Sequence, residues 1–238
     1  MDRLEGRGEF IALQYDAYIQ QAEDRIAQAC ERAGRKRSDI QVIAVTKYID
    51  SAGAGSLLEK GLTHLGENRW QAAKEKWGAI GEQAVWHFIG HLQTNKVKDV
   101  IGRFDYLHAL DRSSLLQAVQ KQASRLDIVV PAFIQLNVSG EDTKYGLAPE
   151  DLFTFAEEAA GCPNIRIIGL MTMAPHEADP EQTRPVFRRL RELRDELNER
   201  RILPEPAPHL SMGMSNDFEV AIEEGATWLR LGSILLGR

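Results

Sequence analysis

The spacing of apolar residues along the chain switches back and forth between two periods. Between positions 11 and 33, Ile11, Tyr15, Tyr18, Ala22, Ile26 and Ala29 recur at three- and four-residue steps, the stripe of an amphipathic helix. Gly34 is placed to stop it. Residues 41–47, Gln-Val-Ile-Ala-Val-Thr-Lys, are β-branched and apolar without alternation, as expected of a strand buried on both faces of a parallel sheet. The same succession continues, with strands expected at 63–65, 85–89, 106–110, 132–138, 165–172, 209–212 and 228–236. Helices are expected between them, including 112–125, 150–160 and 183–201, where Val186, Leu190, Leu193 and Leu197 mark one face.

Eight strands alternating with helices in 238 residues predict a (β/α)8 TIM barrel, a fold whose usual length is about 250 residues. An open doubly wound sheet would carry a Gly-x-Gly-x-x-Gly turn after its first strand, and Thr46-Lys47-Tyr48-Ile49 is unlike one. One domain is expected over 11–238, with residues 1–10 a charged tail without functional weight. The last strand ends close to Arg238, leaving no room for an eighth helix, and the helix over 11–33 is expected to cover that gap.

Composition narrows the function classes. A net charge of -6 argues against a general nucleic-acid binder, which needs excess Lys and Arg to displace phosphate counterions. Cys30 and Cys162 lack the spacing of a zinc site and read as reduced thiols. No stretch approaches about 18 uninterrupted apolar residues and the acidic start is unlike a signal peptide, so a soluble cytoplasmic protein without membrane contact is expected.

In a barrel the C-terminal ends of the strands carry the chemistry. Lys47 ends the first apolar strand, where desolvation would expose a neutral amine suited to imine formation; the alternative is a lysine that snorkels out of the barrel mouth. Ser211-Met212-Gly213-Met214-Ser215 offers a glycine for close backbone approach, and Asn216 with Glu219 has capping-box spacing. Arg230-Leu231-Gly232-Ser233 puts a permanent cation beside a hydroxyl, and the loops after strands seven and eight are the recurrent phosphate site of such barrels. A routine turn, with the arginine paired to a core carboxylate, is the alternative. His87 and His91 flank a strand end and suit a structural role better than a metal site. The polar loop 139–146 is either a lid or a plain surface connection. The arginines of 183–201 alternate with acids, as on a solvated face.

Ala44-Val-Thr-Lys47, Gly66-Glu-Asn68, His87-Phe-Ile-Gly-His-Leu-Gln93, the 137–146 block, Gly169-Leu-Met-Thr-Met173 and Ser211-Met-Gly-Met-Ser215 occur in series. On these motifs the chain, from about 41 to 237, resembles the pyridoxal phosphate homeostasis protein family. The resemblance implies a barrel of the alanine racemase N-terminal domain type with pyridoxal 5'-phosphate (PLP) held as a Schiff base by Lys47. It implies phosphate contacts from Ser211, Met212 and Gly213 and from Arg230, Gly232 and Ser233, with Asn68 near the cofactor ring. Arg230 has a second placement, against the ring nitrogen. The family implies a non-catalytic carrier or regulator of PLP and amino-acid balance, with PLP-dependent apoenzymes as possible recipients. A barrel ending at Arg238 without a second domain agrees with that and makes a monomer the default. The alternatives are a slow PLP-dependent racemase or lyase, and a Schiff-base aldolase or sugar-phosphate barrel without PLP. Tyr48, next to Lys47 in an extended strand, is expected to face away from it.

Overall fold

The computed structural model describes residues 2–141, 144–175 and 178–237, with side chains from Tyr15 onward. After the N-terminal helix α1 (Asp2–Arg32), the chain runs β1 (Gln41–Val45), α2 (Ser51–Glu59), β2 (His64–Glu67), α3 (Trp70–Ile80), β3 (Val85–Phe88) and α4 (Val97–Val100). It continues through β4 (Tyr106–Leu110), α5 (Ser113–Leu126), β5 (Val130–Gln135), α6 (Leu152–Ala160), β6 (Ile165–Met171) and α7 (Arg184–Glu199). The last elements are β7 (His209–Ser211), α8 (Phe218–Glu223), β8 (Trp228–Leu231) and α9 (Ser233–Leu236). Among the described residues the eight strands form one closed parallel barrel in chain order, and β8 pairs back onto β1 with Val42 opposite Leu229 and Ile43 opposite Arg230.

The unalternating apolar run of β1 has a direct explanation. Val42 and Ala44 point outward into the core between strands and helices, whereas Ile43 belongs to a separate cluster inside the barrel with Phe133, Met171 and Trp228. Both faces of this strand pack against apolar side chains, so the run shows no polar alternation. On α7 the buried stripe is Phe187, Leu190, Leu193 and Leu197, so Phe187 takes the place that the periodicity gave to Val186.

Several strand ends shift by one to three residues, β1 ending at Val45, β2 running His64–Glu67 and β5 Val130–Gln135, and two differences from the sequence reading are larger. Helix α1 takes in residues 2–10, where the charge of the segment predicts a tail. Residues 228–236 are not one strand: β8 stops at Leu231, Gly232 turns the backbone (φ -127°, ψ -81°), and 233–236 form the one-turn helix α9. Ile234, Leu235 and Leu236 are apolar in either conformation, so their hydrophobicity could not reveal the switch. Helix α1 does cover this last sector. It packs on α8 and α9, burying Ala22, Ile26 and Ala29, and Arg25 pairs with Glu219 at 2.8 Å.

The barrel interior also holds polar side chains in contact with Trp228. His87 and His108 are fully buried, their ring centroids 5.2 and 5.7 Å from the indole. Burial pushes both imidazoles well below their usual range, helped by His64 beside His87 and by His87 and Arg230 beside His108. Unfolded imidazoles titrate near about 6.5. Below that pH the unfolded chain takes up protons that the folded one refuses, so acidification costs stability, by up to about 1.4 kcal/mol per pH unit for each such histidine. Urea unfolding at pH 7, 6 and 5 is expected to show a midpoint that falls steadily; an unchanged midpoint would refute neutral burial of the two rings.

Candidate functional site

A cavity of about 770 Å³ opens at the C-terminal ends of the strands. Its walls include Lys47 after β1, Asn68 after β2, His91 after β3, Tyr145 from the loop after β5, Ser215 after β7, and Arg230, Gly232 and Ser233 in and after β8.

Lys47 lies in a turn two residues past the end of β1 and is exposed, not desolvated at a strand end as its apolar neighbours suggested. The turn is closed by Ile49 N donating to Thr46 O at 3.1 Å. Because the backbone has left the extended conformation, Lys47 and Tyr48 do not face opposite ways. The Lys47 amine stands 4.8 Å from the centre of the Tyr48 ring, and both residues line the cavity.

The turn is held from beneath. Lys76 of α3 is buried and donates to Thr46 O at 2.6 Å and Ile49 O at 3.2 Å, the carbonyls on either side of Lys47. It also pairs with the fully buried Glu67, whose Oε1 accepts from Thr46 Oγ1 at 2.6 Å. Glu67 Oε2 is buried without a hydrogen-bond partner among the described residues. A lysine on a helix gave no sign in the sequence that it would turn inward. Beside it, Gly90 lets the segment after β3 approach so closely that a Cβ there would land on the Asn68 carbonyl, next to the cavity that both residues line.

On β8, the strand next to β1, Arg230 is almost fully buried. Its Nη1 donates to Ser211 Oγ at 2.7 Å and its Nη2 to Thr172 O at 2.8 Å. Burial lowers its pKa to about 10, with Asp217 acting in the other direction. Ser211, Met212 and Gly213 do not line the cavity. Ser211 is enclosed between Arg230 and His108, Met212 is in the core, and Gly213 (φ +92°) makes the turn, where a Cβ would press on Ala221. The residue of that motif which does reach the cavity is Ser215, because β7 is only three residues long and the motif climbs out of the barrel. Ser215 Oγ accepts from Gly232 N at 3.2 Å and Ile234 N at 3.3 Å, joining the loops after β7 and β8.

The expected capping box is absent among these residues. Asp217, not Asn216, precedes α8, and its Oδ1 accepts from Met214 N at 2.6 Å, while Glu219 is engaged with Arg25. Nor do His87 and His91 meet. His87 points into the barrel, and His91 stacks on Tyr145 at 3.9 Å with Asp111 3.5 Å from its Nδ1. Among the described residues no group of three or more His, Cys, Asp or Glu could hold a metal. Of the loop 139–146, Tyr145 is tied to β5, its carbonyl accepting from Gln135 Nε2 at 3.0 Å, and it lines one side of the cavity; residues 142 and 143 lie outside the described residues.

Residues 19–238 match the family model of the alanine racemase N-terminal domain. The pyridoxal phosphate homeostasis protein of Aquifex aeolicus (strain VF5) is 46% identical, covering 90% of this chain and 93% of that protein. The chain belongs to the pyridoxal phosphate homeostasis protein family. The Pseudomonas aeruginosa PAO1 member is 38% identical over 90% of each chain. PipY of Synechococcus elongatus PCC7942, a COG0325 family member solved with PLP bound, is similar with a TM-score of 0.79 at 31% identity, covering 90% of this chain and 99% of that one. Alanine racemase of Clostridium difficile 630 shares the fold, with a TM-score of 0.70 at 18% identity over 89% of this chain and 54% of the racemase.

In this family member the buried pair under the Lys47 turn generates a testable expectation. Lys76→Met strands the Glu67 carboxylate, and urea denaturation should show a loss of about 3 kcal/mol or more. The double change Lys76→Met with Glu67→Leu removes both charges and should recover most of it. A single variant as stable as the parent would show that the pair does not hold the turn.

Proposed function

We propose that this protein binds PLP in the cavity at the barrel mouth and serves as a non-catalytic carrier or regulator in PLP and amino-acid homeostasis, handing the cofactor to PLP-dependent apoenzymes or withholding it. The observation that carries this reading is the gathering of an accessible amine, Lys47, a buried cation, Arg230, and the hydroxyl groups of Ser215 and Ser233 around one cavity. The names of the relatives and the PLP-bound PipY structure support the choice of ligand.

The residues present suit the group. Lys47 would hold it by condensing its amine with the cofactor aldehyde. Ser215 accepts two backbone N–H bonds, which leaves its own hydroxyl hydrogen to donate to a phosphate, and Ser233 adds a second hydroxyl at the same junction. Arg230 is fastened within the barrel by Ser211 and Thr172, below that junction, so the ring nitrogen is the better assignment for it. Bound there, PLP would supply a reactive aldehyde and an electron-withdrawing ring, and the cation of Arg230, if held at the ring nitrogen, would keep it unprotonated and weaken that withdrawal. A carrier is therefore favoured over an enzyme. A slow racemase or lyase is the second reading, favoured by His91 and Tyr145 on the cavity wall with Asp111 behind the imidazole.

Two measurements test these assignments. Lys47→Ala should abolish the borohydride-reducible visible chromophore of the PLP-loaded protein; retention of the label on another lysine would overturn the role of Lys47. The pair Ser215→Ala and Ser233→Ala should weaken PLP roughly tenfold or more while sparing pyridoxal, as expected for hydrogen bonds to a charged group, whereas Arg230→Gln should weaken both ligands alike. Proton exchange at the α-carbon of amino acids in deuterated water, at roughly 1 per second or faster, would favour the enzyme.

A further inference from the structure

The side chains along the barrel axis form one unbroken hydrogen-bonded column. His64 Nδ1 lies 2.9 Å from His87 Nε2, His87 Nδ1 lies 3.0 Å from His108 Nε2, and His108 Nδ1 lies 2.9 Å from Ser211 Oγ, which accepts from Arg230 Nη1 at 2.7 Å. The column begins at the first residue of β2, at the mouth opposite the cavity, and ends at the cavity-lining arginine. His64 is half-buried; His87, His108, Ser211 and Arg230 are buried.

The direction of the donated protons follows from one fact: a guanidinium can only donate. Ser211 Oγ therefore accepts from Arg230, and among the described residues the acceptor left for its single hydrogen is His108 Nδ1. That fixes the proton of His108 on Nε2, where it is donated to His87 Nδ1. The proton of His87 is then on Nε2 and is donated to His64 Nδ1. The reverse arrangement would bury the Ser211 hydrogen without a partner, which costs about 1–3 kcal/mol. No member can carry a second proton on its accepting nitrogen without breaking the column.

We infer that His64, His87 and His108 are positioning residues for Arg230: a neutral, one-way hydrogen-bond column, with every proton on Nε2, that pins Ser211 and so fixes the guanidinium fork presented to the cavity. Two of the five N–H groups of Arg230 are spent on Ser211 and Thr172, and the column keeps that assignment from alternating, so the remaining donors meet a ligand already aimed. The connection to cofactor affinity rests on the PLP reading above; the tautomers do not.

The test uses the full chain with nitrogen-15 in its histidines and arginines. Two-bond nitrogen–proton correlations at pH 7.5 should show His87 and His108 protonated on Nε2 alone. A proton on Nδ1, or an imidazolium, at either ring would overturn the column. PLP affinity is then measured by absorbance for two variants. His108→Phe keeps the stacking on Phe133 but removes the acceptor for Ser211, and should weaken PLP roughly tenfold. His108→Gln keeps one acceptor and one donor and should restore most of the loss. A folded His108→Phe protein with unchanged affinity would overturn the positioning role, and if that variant does not fold, the tautomers of the parent chain decide. Should the parent chain take up no PLP, the PLP reading fails by itself. The column is then judged on the Arg230 N–H signals, which should exchange slowly in the parent and faster in His108→Phe; equal exchange would overturn it.

Discussion

Closure of the sheet between β1 and β8 is the constraint on which the rest of the molecule depends. Once Val42 pairs with Leu229 and Ile43 with Arg230, the barrel has an inside that is sealed from the helical shell. Anything polar placed there must find its partners among its neighbours, because an unpaired buried donor or acceptor costs more than a hydrogen bond gains. Ile43, Phe133, Met171 and Trp228 fill part of that space, and the remainder is occupied by groups that satisfy one another from His64 to Arg230. A barrel of this kind is thus a packed solid with a polar seam, and the cavity is the place where the seam meets water.

The same closure accounts for the division of labour around the mouth. Strands supply anchored groups: Arg230 is tied to Ser211 and Thr172, and Glu67 to Lys76 and Thr46. The segments beyond the strand ends supply accessible ones: Lys47, Tyr48 and Tyr145 in loops and Ser233 at the start of α9. Reactive groups on short segments anchored by a rigid scaffold are a recurrent solution in barrels, since the scaffold limits where the segment can stray.

Much of the fold was legible in the sequence because its signal is local. The doubly buried run at 41–45, the helical stripe through Ala22, Ile26 and Ala29, and the strand 106–110 follow from patterns a few residues long. Of the site, Lys47, Asn68, Arg230, Gly232 and Ser233 were legible from motif and position and do line one cavity. What stayed hidden depends on contacts between distant segments. His64, His87 and His108 are 23 and 21 residues apart, and His108 and Ser211 are 103 apart, so no window of sequence contains their relation. Lys76 looks like any lysine on a polar helix face until α3 is laid against the Lys47 turn. Ser215 displaced Ser211 as the cavity hydroxyl because the length of β7, which sets where the motif leaves the barrel, is poorly marked by three residues.

Helix α1 gives the fold a further property through its seat on α8 and α9. The walls of the cavity come from distant parts of the chain, and helix α1 packs on elements that are synthesised long after it. Contacts of such long range are slow to form and cannot form early in synthesis. A nascent chain that already displays Lys47 has as yet no Arg230, no junction at Ser215 and no floor. The cavity therefore exists only once the barrel has closed, and a partial chain carries a lysine on an open turn with no walls around it.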